Sequence, residues 1–266
     1  MKNRDRLTPL ERSWVLYDVG NSAFVLMAST IMPIFFKNLT SAAGVADHDS
    51  TAYWSYTAAF CTLAVAFLGP TLGALADTKG FKKPLFTAML ALGAAGCLAL
   101  PMPLGWMGFL VLFILAKIGF SGSLVFYDAM LSDVTEDSRM DMVSSKGYAW
   151  GYLGSCLPFV LCLALILTAE QTGLGTATAT GIAFLITALW WIGCSLPLLK
   201  NYRQVHFVPR APGAVKESLR RLGRTLRDIR KEKKIFWFLL AFFFYIDGVY
   251  TIIDLATSYG KDVGIS

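Results

Sequence analysis

Charged side chains are scarce in this chain of 266 residues. Asp, Glu, Lys and Arg together make up only 16% of it, whereas soluble domains contain about 25%. Hydrophobic residues account for 55%. So few charges cannot cover a compact globule with hydrated groups, and the composition therefore excludes the ordinary soluble class and favours a membrane protein.

Residues that carry catalytic or metal chemistry are also few. The two histidines, His48 and His206, fall in loops, and no cluster of metal ligands or activated nucleophile accompanies them. A Gly-x4-Gly-Lys-Ser/Thr stretch is missing, which argues against an ATP-driven pump. The five cysteines lack the paired spacing of a disulfide framework and are expected to be packing residues. We expect no enzyme, no metal site and no cofactor, apart from proton coupling.

Long apolar runs dominate the sequence instead. A helix needs about 20 apolar residues to cross the roughly 30 Å hydrocarbon core of a bilayer, and runs near that length recur. The first run is too long and too polar for a cleaved signal peptide. We predict an all-α membrane protein with seven spans, at residues 13–36, 53–76, 84–101, 106–131, 147–168, 177–199 and 235–259.

The basic residues indicate how these spans are oriented. Nearly all of the 24 Lys and Arg residues fall on one side of the predicted membrane, and only Lys37 and Lys261 fall on the other. By the positive-inside rule, the N-terminus is cytoplasmic. The net charge of +6 then reflects topology and not nucleic-acid binding. The short N-terminus without a targeting extension favours a bacterial inner membrane.

The longest loop divides the chain into a six-helix part, residues 1–199, a basic linker, 200–234, and one further span, 235–266. The linker carries an apolar stripe at helical spacing, which predicts an amphipathic helix at the inner membrane surface. A calmodulin-type or nucleic-acid target is the weaker interpretation. The stripe consists of Val215, Leu219, Leu222, Leu226 and Ile229.

Six spans followed by one do not form a closed transporter, since repeat-built carriers need both halves to enclose a site at mid-membrane. We therefore expect the chain to be truncated, with about five spans of a C-terminal half missing. A complete carrier would need that missing half as its partner.

Ionisable residues inside the predicted spans indicate a polar pathway, because charges in lipid are costly. Lys117, Ser121 and Asp128 share one face of span four, and Asp247 and Asp254 share one face of span seven. A pair between Lys117 and Asp247 near mid-membrane is the geometric prediction. It could bind both ends of an amino acid or pass a proton, or it could be a structural ion pair that only fixes packing.

Span one adds Asp18 and Asn21 to this candidate pathway. Asp128 lies near the inner surface, where helix capping and substrate contact are both open interpretations. Glycines on span five predict close helix packing, whereas those on spans four and seven would loosen the helices. The first set is Gly147, Gly151 and Gly154, and the second is Gly119, Gly122 and Gly248.

The loop between spans two and three carries the most specific short motif, at residues 73–83. Its glycines let helices approach closely or let the chain reverse its direction. A carboxylate lies at the end of the helix, and the lysines are expected to anchor the inner membrane surface. The stretch resembles the signature loop of the major facilitator superfamily, which implies a role in holding two halves together and in gating. The residues concerned are Gly73, Asp77, Gly80, Lys82 and Lys83.

Four longer stretches, at residues 14–24, 126–133, 144–154 and 245–252, resemble the autophagy-related vacuolar effluxer-like family, including its bacterial members. The resemblance implies a major facilitator fold and proton-linked or facilitated movement of small solutes by alternating access. Fungal members efflux hydrophobic amino acids, so amino-acid efflux is the analogy. Asp128 stands where the family often has Asn. We expect this difference to affect the choice of substrate, while the assignment to the family stays the same.

A second class of function stays open. A transport-incompetent membrane receptor or scaffold would need the intramembrane charges to be structural and the basic linker to be the partner surface. The partners expected for the transporter interpretation are a small-molecule solute and the lipid bilayer, without nucleic acid.

Overall fold

The computed structural model describes residues 6–209 and 214–264, which are almost entirely helical. A short 3-10 turn, Asp137–Arg139, precedes the sixth helix. The helices are α1 Pro9–Ser29, α2 Ile31–Ala42, α3 Asp47–Ala76, α4 Lys82–Ala99, α5 Gly105–Val134, α6 Met140–Leu167, α7 Thr176–Asn201, α8 Ala214–Ile229 and α9 Lys233–Asp262.

Six helical segments of the described chain are long and apolar enough to cross a membrane, where the sequence predicted seven spans. The first of them combines α1 and α2, Pro9–Ala42. The predicted third span is α4, which falls outside the six because Lys82 and Lys83 open a helix of only 18 residues. Such a helix rises about 27 Å, slightly less than the hydrocarbon core.

The first span is broken at Thr30, between α1 and α2. Pro33 has no N–H to donate to the carbonyl four residues earlier, and its ring crowds that carbonyl. The Ser29 carbonyl is therefore left without its helical donor. After this break the chain continues as α2 to Ala42, beyond the predicted end at Phe36.

The bundle is held most closely where α4 crosses α5, and where α1 packs against α6 and α7. At the α4–α5 crossing two glycine backbones meet, because a Cβ built on Gly119 would lie 2.2 Å from the amide nitrogen of Gly93. Trp191 of α7 packs on the same point, 2.6 Å from a Cβ built on Gly93. Gly119, which was predicted to loosen its helix, therefore lies at a close contact between two helices.

We name the two ends of the bundle by their chemistry. The basic face carries the start of α1, the turn between α3 and α4, the connection from α5 to α6, and residues 202–209. The other end, with residues 43–46, 100–104 and 168–175, is the opposite face.

One clamp on the basic face is centred on Glu11, which is 1% exposed. Thr8 and Glu11 form a capping box that starts α1. The Arg139 guanidinium donates to both carboxylate oxygens of Glu11 at 2.9 Å, and the Thr135 hydroxyl donates at 2.6 Å. This bidentate pair joins the start of α1 to the connection between α5 and α6.

A second clamp is centred on Asp133, near the end of α5. Its carboxylate accepts from Lys82 Nζ at 2.8 Å, from the Tyr202 hydroxyl at 2.5 Å and from the His206 amide at 2.7 Å. Burial, with the neighbouring Asp133 carboxylate, raises the pKa of Tyr202, so its hydroxyl stays protonated and donates. Asp133 thus ties α4 and the segment after α7 to α5.

The first part of the predicted linker packs on the bundle. Val208 forms a parallel bridge with Thr78, and the Gln204 amide donates to the Ala76 carbonyl at 2.9 Å. Helix α8 follows and contacts α3. The predicted stripe lies on α8, but the side chains of Val215, Leu219, Leu222 and Leu226 are outside the described residues, and only Ile229 of that set is described, as half-buried.

Replacing Gly119 tests the helix crossing. We expect Gly119→Ala to lower the free energy of unfolding by about 1–3 kcal/mol, because the added methyl group has no free space between the two backbones. Thermal denaturation of the detergent-extracted protein measures this. Gly193→Ala is the matched control, since nothing lies within 4 Å of its Cβ position. Equal melting temperatures for the two variants would contradict the close crossing.

Replacing Asp133 tests the second clamp. We expect Asp133→Asn to lower the free energy of unfolding by about 3 kcal/mol, because Lys82 is only 3% exposed and would keep its charge without a counter-ion. The same denaturation assay applies. Asp137→Asn changes an exposed carboxylate four residues later and should leave the melting temperature unchanged. A fall of the same size in both variants would show a general charge effect.

Candidate functional site

The residues of the predicted gating loop contribute mainly to the basic-face clamps. Gly80 has φ +80° and its amide donates to Gln204 Oε1 at 2.9 Å, so the predicted tight reversal is confirmed. Asp77 lies at the end of α3 and makes its contact through its backbone. Its carbonyl accepts a hydrogen bond from the Val208 amide at 2.7 Å. Open space surrounds the Cβ position of Gly73, so the predicted close helix approach there is wrong.

Two of the three lysines in this stretch, Lys82 and Lys83, are turned inward. Lys82 is buried against Asp133, and Lys83 Nζ donates to the Tyr202 carbonyl at 3.4 Å. The prediction that Lys82 anchors the inner membrane surface is wrong, because the buried Asp133 carboxylate offers its ammonium group an ion pair within the bundle.

Lys117 forms the ion pair that joins the bundle to α9. Its Nζ lies 2.9 Å from Asp254 Oδ1, and the two side chains are 18% and 20% exposed. The predicted partner, Asp247, is exposed, so that part of the prediction is wrong. The reason is the course of α9, which meets the bundle along its last third, while side chains such as Tyr245 earlier in the helix are 68% exposed.

Further hydrogen bonds hold the end of α9 to the first two spans. The Thr257 hydroxyl donates to the Ser29 carbonyl at 2.6 Å, which is the acceptor that Pro33 leaves free. The Trp54 indole donates to the Asp254 carbonyl at 3.2 Å. These contacts lie toward the opposite face of the bundle.

Lys37 makes another of these bonds and was missed as a site residue. Assigned to a loop beyond span one, it is 3% exposed within α2, and its ammonium group donates to the Ser258 carbonyl at 2.8 Å. Pro33, one turn earlier, is the signal that could have indicated a broken helix continuing past Phe36.

Asp18 lies on the other side of the pathway, about 14 Å along α1 from its start. Asn21 donates to its Oδ1 at 3.3 Å. Its Oδ2 lies 3.0 Å from the Cβ position of Gly151 and 3.5 Å from that of Gly147. The glycines of α6 therefore pack closely on α1, as predicted, and they leave space for a carboxylate.

Asp128 of α5 belongs to the same region. Tyr127 and Tyr148 both lie within the electrostatic range of Asp18 and Asp128. Tyr127 stacks on Trp14 with ring centroids 4.2 Å apart, and Trp14 donates to the Tyr127 carbonyl at 3.0 Å. The structure thus brings Asp18 and Asp128 together around a fixed aromatic ring.

The two polar regions are separate. Lys117 and Asp128 are 11 residues apart on α5, about 16 Å along its axis, with the half-buried Ser121 between them. That distance is far greater than the one between the ammonium and carboxylate groups of a single amino acid. Within residues 6–209 and 214–264 no group of three or more His, Cys, Asp or Glu side chains is arranged to hold a metal ion.

Comparison with known proteins identifies relatives of the kind that the sequence motifs predicted. The chain is 43% identical over 265 residues to an uncharacterized MFS-type transporter, YxiO, of Bacillus subtilis, covering 98% of this chain and 62% of the relative. The chain thus spans less than two thirds of that relative's length.

Two fungal proteins match a shorter region. Autophagy-related protein 22-2 of Aspergillus clavatus is 30% identical over 140 residues, 48% of this chain and 22% of the relative. Autophagy-related protein 22-1 of Aspergillus niger is 30% identical over 129 residues, 45% and 20% of the two chains. The family model described as vacuole effluxer Atg22 like matches residues 10–139 and 132–263. The chain therefore belongs to this Atg22-like vacuole effluxer family, as its motifs predicted.

Proposed function

We propose that this chain is part of a secondary active or facilitative transporter that moves a small solute by alternating access, with amino acids as the solute and efflux as the direction. The observation that carries the proposal is the ion pair between Lys117 of α5 and Asp254 of α9. This ion pair joins the bundle of helices α1–α7 to α9, the helix that follows the basic linker.

A partly exposed ion pair suits reversible use. Deeply buried pairs such as Lys82 and Asp133 lose most of their hydration, and breaking them is costly. Lys117 and Asp254 keep about a fifth of their side-chain surface exposed, so solvent or a solute reaches them. The carboxylate of an amino acid can replace Asp254 on Lys117, while its ammonium group binds Asp254.

The contacts of α9 support two alternating arrangements. Toward the opposite face, α9 bonds to Ser29, Lys37 and Trp54, whereas its first half is exposed. A helix that is joined to the bundle only at one end leaves the pathway open at the other end. Rocking of α9 about the Lys117–Asp254 pair would close the basic face and open the opposite face.

We further propose that the basic face is cytoplasmic and that the membrane is a bacterial inner membrane. Lys79, Arg139 and the basic helix α8 gather on that face, which is the distribution that the positive-inside rule describes. Proton coupling through a carboxylate of the pathway is part of the proposal, with no other cofactor.

Replacing Lys117 tests the function. In the native-length protein reconstituted into vesicles, we expect Lys117→Ala to slow the transport of radiolabelled leucine at least about tenfold, since one charge-assisted hydrogen bond to the solute is lost. Lys200→Ala removes an exposed lysine at the end of α7 and should transport normally.

A double variant separates transport from folding. Lys117→Ala leaves Asp254 without a counter-ion, whereas Lys117→Ala combined with Asp254→Ala removes both charges and should restore the melting temperature. We expect the double variant to fold and still to transport slowly. Normal transport by the double variant would show that the pair is structural and would favour the receptor or scaffold function.

A further inference from the structure

The buried hydroxyl of Tyr127 has no hydrogen-bond partner among the described residues. Tyr127 is 3% exposed, and its ring is fixed by stacking on Trp14 and by packing against Tyr17 at 4.7 Å between ring centroids. Buried polar groups are almost always bonded, because an unsatisfied one loses its hydration without compensation. A fixed, buried hydroxyl without a partner among the described residues is available to accept a hydrogen bond from a bound group.

Two carboxylates lie in the same region as this hydroxyl. Asp18 Oδ2 and the Trp14 ring that stacks on Tyr127 both lie against Gly147, and Asp128 follows Tyr127 directly in α5. Asn21 donates to Oδ1 of Asp18, while Oδ2 fills the space that the missing side chains of Gly147 and Gly151 leave, 3.0 Å from the Cβ position of Gly151. The region therefore presents two carboxylate groups and a hydroxyl oxygen.

No cationic side chain of the described residues is paired with these acceptors. Within residues 6–209 and 214–264, no Lys, Arg or His side chain forms an ion pair with Asp18 or Asp128, although Glu11, Asp133 and Asp254 are all paired. Intramembrane carboxylates are ordinarily paired or functional. The bundle supplies cationic partners for Glu11, Asp133 and Asp254, whereas half-buried Asp18 and exposed Asp128 form no ion pair within the described residues.

We propose that Asp18, Tyr127 and Asp128 form an amine pocket that binds the primary ammonium group of the solute. An ammonium group has three N–H donors and a full positive charge, which match two carboxylates and one hydroxyl oxygen. This assignment rests on the proposed transport function and makes it more specific, since it selects amines over carboxylic acids.

The surroundings of the pocket give the solute an approach. Tyr148 of α6 and Tyr250 of α9 are exposed by 65% and 60%, and each lies in the electrostatic range of the other. In this proposal the solute reaches the pocket between α6 and α9, past these two exposed rings. The tyrosine rings offer a face on which the alkyl part of an amine can pack.

The pocket is also distinct from the Lys117–Asp254 pair. About 16 Å of α5 separates Lys117 from Asp128, so a small amine occupies one region at a time. A solute that enters from the basic face would meet the amine pocket first and the ion pair second. The amine pocket is thus an entry site along the same pathway.

Binding of two simple probes tests the amine pocket. Isothermal titration calorimetry on the detergent-extracted, native-length protein compares isopentylamine, which has only the ammonium group, with 4-methylpentanoate, which has only the carboxylate. We expect isopentylamine to bind at least about tenfold more tightly, as one charge-assisted contact predicts.

Three variants locate the bound amine. Asp18→Asn and Asp128→Asn should each weaken isopentylamine binding about tenfold, and Tyr127→Phe about fivefold, through loss of one acceptor. Asp141→Asn changes an exposed carboxylate in the first turn of α6 and is the matched control, expected to bind normally. Melting temperatures of all four variants show that each is folded.

Transport of radiolabelled leucine by the same variants distinguishes this inference from the proposed function. If leucine is transported but isopentylamine binds Asp18→Asn and wild type equally well, the amine pocket is overturned and transport stands. If isopentylamine fails to bind wild type, the pocket is overturned as well. Binding that depends on Asp18 without any leucine transport supports the pocket and removes the proposed solute movement.

Discussion

A buried charge must find a counter-charge inside the bundle, since lipid offers none. Glu11 with Arg139 and Asp133 with Lys82 obey this constraint at the basic face, where they join α1, α4 and the segment after α7 to the end of α5. The carboxylate side chains of both pairs are almost completely buried. The same constraint extends to α9 through Lys117, but that pair retains exposed surface. The first two pairs therefore hold the bundle together, while the third is suited to exchange.

The same constraint applies to backbone groups. Pro33 deprives the Ser29 carbonyl of its helical donor, and the Thr257 hydroxyl replaces that donor from another helix. A local sequence feature of α2 thus creates an attachment point for a helix more than 200 residues later, at the end where α9 meets the bundle. The first half of α9 has no comparable contact with a broken helix and stands exposed. One proline accordingly adds an attachment point at the end of α9 that Lys117, Trp54 and Lys37 also hold.

Asp18, Asp128 and Tyr127 depart from this rule. Within the described part of the chain, two carboxylates and a buried hydroxyl share one region without an ion-pair partner, at a place where α6 presents glycine to α1. Departures from complete satisfaction tend to mark function, because nothing in the folded chain itself benefits from them. The family resemblance indicates transport in general, whereas this local imbalance is what indicates a cationic group on the solute.

Hydropathy and motif alone determined the all-helical membrane class, the family, the turn at Gly80 and the close packing of Gly147 and Gly151, because these depend on local composition and on residue size. The partner of Lys117, the burial of Lys37 and Lys82, and the meeting of Asp18 with Asp128 were decided by tertiary structure. Helix tilt and register set these contacts between segments up to 221 residues apart, and periodicity within one helix carries no information about either.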